Sequence, residues 1–79
     1  MKVFEYTAVV WKESDGYVSK CPELNVASCG DTFDKAISNL REAVELYLEN
    51  AIELDLISDF EESLTTKEKY TTHLEAAVQ

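Results

Sequence analysis

The stretch 15–49, DGYVSKCPELNVASCGDTFDKAISNLREAVELYLE, changes its period part-way along, and that change constrains the fold more than any other feature of the chain. Ahead of Gly30 it reads as strands broken by turns; beyond Thr32 apolar residues recur every three to four positions. Just upstream, residues 3–12 (VFEYTAVVWK) are rich in β-branched and aromatic types. The Asp15-Gly16 pair that follows them predicts a hairpin closed by a two-residue primed turn. Strand one therefore turns back into strand two, Tyr17 to Cys21. Pro22 cannot donate to a ladder and ends that strand, so Glu23, Leu24 and Asn25 lead round into a short third strand, Val26 to Cys29.

The next joint opens a helix. Asp31 or Thr32 can accept from the free amides of a first turn, and Asp34 suits the positive helix end. Phe33, Ala36, Ile37, Leu40, Ala43, Val44, Tyr47, Leu48, Ala51 and Leu54 form one stripe, with Asp34, Lys35, Ser38, Arg41, Glu42, Glu45 and Glu49 opposite. A helix from Phe33 to about Leu54 is roughly 34 Å long. Ser58 to Glu62 offers another capped turn, and Thr65 to Lys69 is a polar connection. Tyr70 to Val78 alternates with period two and predicts a fourth strand. A right-handed crossover would bring that strand back parallel to an earlier one. The expected fold is thus α+β, in the order β-β-β-α-β. A mixed four-stranded sheet in the order 3-2-1-4 carries one long helix on one face, as a single domain over residues 1–79.

Strand one is apolar on both sides: Phe4, Tyr6, Ala8 and Val10 point one way, and Val3, Val9 and Trp11, with Thr7, the other. One helix covers one face only, leaving an apolar patch holding Trp11 or Tyr6 that is larger than a small monomer usually exposes. Either the segment with Leu56, Ile57, Phe60 and Leu64 folds over it, or it is an interface for self-association, a partner, or both. A chain of 79 residues hides only about 60% of its unfolded surface, which also favours a homodimer or higher oligomer.

Chemistry is sparse. The single His73 lies in the final strand, with no serine or cysteine tied to it by a local motif, so nucleophilic catalysis is not expected. The β-β-β-α-β order is also the first part of an RNase H-like fold, whose carboxylates bind two metal ions, and the candidates would be Glu5, Glu42 or Glu45, and Glu75. Strand one offers only Glu5, and the later elements of such nucleases do not fit in this length; the helical glutamates read as a solvated face. Cys21 and Cys29 match no zinc spacing and read as two buried thiols serving as small hydrophobes. Gly16 and Gly30 each have a turn to make, so no phosphate loop exists and no cofactor is expected. The chain shows neither a secretory signal nor an apolar run near the ~18 residues of a membrane span, and a soluble cytoplasmic protein is expected. Sixteen acidic against seven basic residues give a net charge of −9, which repels nucleic acid and anionic lipid. Acidity then serves solubility or attracts a cationic partner protein.

The joint residues D-G-Y-V, C-P-E-L and G-D-T, followed by an A-x-x-N-L-R-E-A run, resemble the HicB-type antitoxin domain over Met1 to roughly Glu49. That resemblance implies a truncated RNase H-like fold without activity, which neutralises a small basic ribonuclease toxin of the HicA type by masking its RNA-cleaving site. Members that regulate their own operon carry an added C-terminal DNA-binding module, for which this chain has no room. Short stand-alone members also resemble orphan domains, leaving an oligomeric module with a structural or small-ligand role as the alternative. Trp11, Tyr17, Glu23 and Leu24 are the residues expected to touch a partner; the alternative is cross-strand packing for Tyr17 and a turn anchor for Leu24.

Overall fold

A computed structural model describes residues 3–79; the expected domain start at Met1 lies outside the described residues. The elements are β1 (Val9–Glu13), β2 (Gly16–Cys21), β3 (Val26–Gly30), α1 (Phe33–Glu53), a 3-10 turn (Ile57–Asp59) and a short α2 (Glu61–Thr65). The strands form one antiparallel sheet in the order β1-β2-β3, not the expected mixed four-stranded sheet in the order 3-2-1-4. Residues 66–79, including the expected strand Tyr70 to Val78, carry neither helix nor strand. The parallel strand of an RNase H-like sheet is therefore missing.

The reason lies at the other end of the chain. Residues 3–8 leave the ladder, so strand one begins only at Val9. The Thr7 amide donates to the Glu23 carboxylate at 3.0 and 3.1 Å, and the Glu5 amide to the Leu64 carbonyl at 2.8 Å. Lys69 Nζ donates to the Glu5 carbonyl at 2.6 Å. The backbone groups of Glu5 and Thr7 are thus bonded to a turn, to the second helix and to Lys69, so residues 3–8 do not extend the strand edge that a fourth strand would use.

The hairpin also closes differently from expectation. Glu13 pairs with Gly16, so the loop is Ser14-Asp15, and neither these residues nor Gly16 has positive φ. A primed turn at Asp15-Gly16 is absent. Gly16 serves close approach instead, because a Cβ there would stand 2.9 Å from the Gly30 carbonyl oxygen. At the second turn Asn25 takes φ 56°, the left-handed conformation that asparagine tolerates, and Cys21 then pairs with Val26.

Helix α1 starts where expected. Thr32 is the N-cap, its hydroxyl accepting from the Lys35 amide at 3.1 Å, with Asp34 in the first turn. Its first turn presses onto the sheet at Gly30, where a Cβ would lie 2.5 Å from the Ala36 nitrogen. Two side chains lock this contact: the buried Ser19 hydroxyl donates to the Ala36 carbonyl and the Asn39 amide to the Cys29 carbonyl, both at 2.8 Å. The C-terminus closes through Asp55 at φ 57°, with Leu56 N–H on the Ala51 carbonyl and Asp55 N–H on that of Ile52.

The core lies between α1 and the sheet. Cys21, Leu24, Leu40, Val44 and Leu64 are buried together, and Phe4, Tyr6, Val26, Tyr47, Leu48, Ile57 and Phe60 pack against them. Tyr47 and Phe60 meet edge to face at 6.0 Å. Phe33 and Leu54, at the two ends of the predicted helical stripe, are exposed.

Candidate interaction surface

Side chains alternate across a strand, so the buried positions of β2 identify both faces of the sheet. Ser19 and Cys21 point toward α1, which places Val18 and Lys20 on the opposite side. Register extends that side into two rows, Trp11-Val18-Cys29 and Val9-Lys20-Ala27. Helix α1 is the helix that lies across the sheet, and it covers the other face. Ile57, Phe60 and Leu64 join the helix-side core, so the segment that contains them does not fold over Trp11. Trp11 keeps 42% of its surface exposed, and Ala27 and Cys29 beside it are exposed too, so of the two thiols expected to be buried only Cys21 is.

Opposite this apolar face, α1 presents acid. Glu42, Glu45, Glu49 and Glu53 are exposed, and the charge continues through Asp55, Asp59 and Glu62. No lysine or arginine occurs between Arg41 and Lys67. The molecule therefore has one apolar side and one strongly negative side.

The four residues expected to touch a partner do not come together. Trp11 lies on the open face. Tyr17 is on the α1 side, half-buried beside the first helical turn, with Lys12 Nζ 6.0 Å from its ring centroid. A shallow cleft of about 360 Å³ there is lined by Lys12, Tyr17, Asp31 and Phe33 among others. Leu24 is only 4% exposed and belongs to the core.

Glu23 is the organising residue of the turn. Its carboxylate accepts from the Thr7 amide, from the Thr7 hydroxyl at 2.8 Å and from the Cys21 thiol at 3.5 Å, and pairs with Lys69 at 2.8 Å. Burial alone would raise its pKa; the Lys69 ammonium, the Thr7 donors and its own amide outweigh that and hold it at about 2. Burial pushes the pKa of the Cys21 thiol up, and that of the Tyr6 phenol likewise. Glu23 thus ties together the N-terminal segment, the second turn and the start of the C-terminal segment. Nothing local in the sequence marks this clip, since its three parts are far apart in the chain. Asn39 was within reach of sequence reasoning, because it is the asparagine of the A-x-x-N-L-R-E-A run, but its bond to the sheet edge needed the fold.

The carboxylates considered for two-metal chemistry are dispersed. Glu42 and Glu45 lie on the outer helix face, and Glu75 is exposed in the C-terminal segment. Among the described residues no group of three His, Cys, Asp or Glu side chains is placed to hold a metal ion. No helix among them is long and apolar enough to cross a membrane.

Comparison with known proteins adds four findings. A family model described as HicB-like antitoxin of bacterial toxin-antitoxin system matches residues 6–79. The UPF0150 protein ssr1765 of Synechocystis sp. is 47% identical over 53 residues, covering 65% of this chain and 67% of its own. A second Synechocystis protein, UPF0150 protein ssr1258, is 38% identical over 58 residues, covering 71% of this chain and 83% of its own. No solved structure matches the chain.

Proposed function

Because the chain belongs to the HicB-like antitoxin family of bacterial toxin-antitoxin systems, we propose that it binds a small basic ribonuclease toxin of the HicA type and neutralises it by masking the active site. The family match over residues 6–79 is the observation that carries this reading. The charge distribution supports it. A ribonuclease that handles phosphate backbones needs a basic surface, and the unbroken acidic side from Glu42 to Glu62 supplies an opposing field. Masking requires no chemistry from the antitoxin, which accords with side chains that suit binding and not catalysis. RNA is cleaved inside the cell, so the place of action is the cytoplasm.

In this reading the open sheet face is the apolar part of the contact, with Trp11 as its anchor. Tyr17 contributes from the hairpin end. Glu23 and Leu24 act indirectly, by holding the second turn and the first residues of the chain against the core. The protein also self-associates, since a core this small leaves a sheet edge and an apolar segment uncovered.

Co-expression with a small basic ribonuclease encoded beside this gene tests the reading. The expected results are a complex on pull-down, restored growth, and loss of both in Trp11→Glu, which keeps its fold because Trp11 is outside the core. Association should also slow strongly between about 0.1 and 1 M salt, as the screening length falls from about 10 to about 3 Å. Absence of complex and of rescue would instead leave an oligomeric domain with a structural or small-ligand role.

A further inference from the structure

The C-terminal segment is the part of the molecule that the fold does not explain. Among the described residues, the one hydrogen bond made from Tyr70 onward runs from the Tyr70 hydroxyl to Glu68. Tyr70, Leu74 and Val78 are 85%, 90% and 88% exposed. They nevertheless share one side of a period-two pattern, which is the pattern of a strand with a surface to bury. The projection shows in the shape, since the radius of gyration is 14.4 Å, against about 11.6 Å for a compact chain of this length.

A matching vacancy exists at the sheet edge. Among the described residues, order β1-β2-β3 leaves the outer side of β1 without a neighbouring strand, and no backbone group of Val9–Glu13 has a bond on that side. Unpaired edges of this kind are templates for another strand. At the far edge, by contrast, Asn39 already takes the Cys29 carbonyl.

We propose that residues 70–78 of one copy pair with the β1 edge of a second copy, and that the second copy returns the same contact. This deepens the self-association part of the proposed function and rests on it. Three observations select a second copy as the occupant. Each chain offers one unpaired segment and one unpaired edge, so a two-fold exchange satisfies both and closes. Residues 70–78 carry a single charge, that of Glu75, so the strand itself accounts for only −1 of the net charge of −9. A strand with one charge approaches an acidic copy against little repulsion, whereas a basic partner would be drawn to the acidic helix. Finally, Lys69 fastens the root of the segment to Glu5 and Glu23, close to the start of the same chain's β1. Nine residues extended from that root reach about 30 Å, enough to span a neighbour's edge.

Two measurements on the full chain test this. Light scattering should give twice the chain mass for the unaltered protein, and L74K/V78K should raise the dimer dissociation constant at least about 100-fold. The helical circular dichroism should stay unchanged, because neither side chain touches the domain. Separately, a photoreactive benzophenone at position 74 is introduced into a mixture of light and isotopically heavy chains refolded together. Cross-links between light and heavy chains, joining position 74 to residues 6–13, are expected. A monomer by light scattering would overturn both the self-association reading and the exchange. A dimer that survives L74K/V78K, or whose cross-links join only light to light and heavy to heavy, would overturn the exchange alone.

Discussion

Replacing Glu23 with glutamine should unfasten the domain at its most connected polar residue. The carboxyl is held at about 2, against an ordinary value of 4.5, and its side chain is 10% exposed, so solvent screens it little. That difference corresponds to about 3 kcal/mol in favour of the ionised form in the folded state. Glutamine keeps an oxygen for the Thr7 donors but loses the charge that faces Lys69, so the loss at pH 7 should be about 2 to 3 kcal/mol. For a domain of this size that lowers the midpoint of thermal unfolding by roughly 10 to 20 °C. The pH dependence follows from the direction of the shift. A carboxyl whose folded pKa is depressed contributes fully above 4.5, and its contribution is lost as the pH falls toward 2. Urea denaturation of both proteins from pH 7 down to 2 should therefore give curves that are far apart above pH 4.5 and converge below it. Equal stability at pH 7, or two parallel curves through the acid range, would show that the Glu23 charge does not organise this junction.

Gly30→Ala should destabilise the fold by about 2 kcal/mol or more, because the new methyl meets the backbone of α1 at Ala36 and Lys35; denaturation against Gly16→Ala, where the obstacle is a single carbonyl oxygen, gives the comparison. Asp55→Gly should stabilise by about 0.5 to 1 kcal/mol, since it relieves a left-handed residue and removes a negative charge from the helix C-terminus; an unchanged or lowered melting temperature would refute this. Leu64→Ala should cost about 2 to 5 kcal/mol as a fully buried side chain. The same change at Leu56, which is exposed, should shift the denaturation midpoint little.

The two sides of the molecule divide the proposed work. An acidic helix accelerates encounter with a basic toxin, and an apolar sheet face holds what has been brought near. Strand exchange at the β1 edge would leave both sides free, because an edge pairs through its backbone and not through either face of the sheet.

Much of this was legible along the chain because it depends on neighbours in sequence. The second and third strands, the turn at Pro22 and the helix from Phe33 follow from alternation, from a missing N–H and from a capping threonine three residues ahead of the amide it caps. The excess of apolar side chains on strand one pointed to an uncovered face holding Trp11 or Tyr6; packing decided for Trp11, since Tyr6 lies against the core. Sequence alone did not decide the fate of residues 3–8 and 70–78. Both alternate like strands, but a strand forms only where its backbone groups find partners, and the Glu23 carboxylate and the Leu64 carbonyl had already taken those of Thr7 and Glu5. The same distance effect moved Glu23 and Leu24 from the expected surface into a clip and a core. A turn residue is exposed unless something folds onto it, and here Thr7, Lys69 and Leu64 arrive from remote parts of the chain. Local periodicity determined which segments could be strand or helix; only the tertiary structure decided which of them were paired, because hydrogen-bond partners and burial are assigned in space.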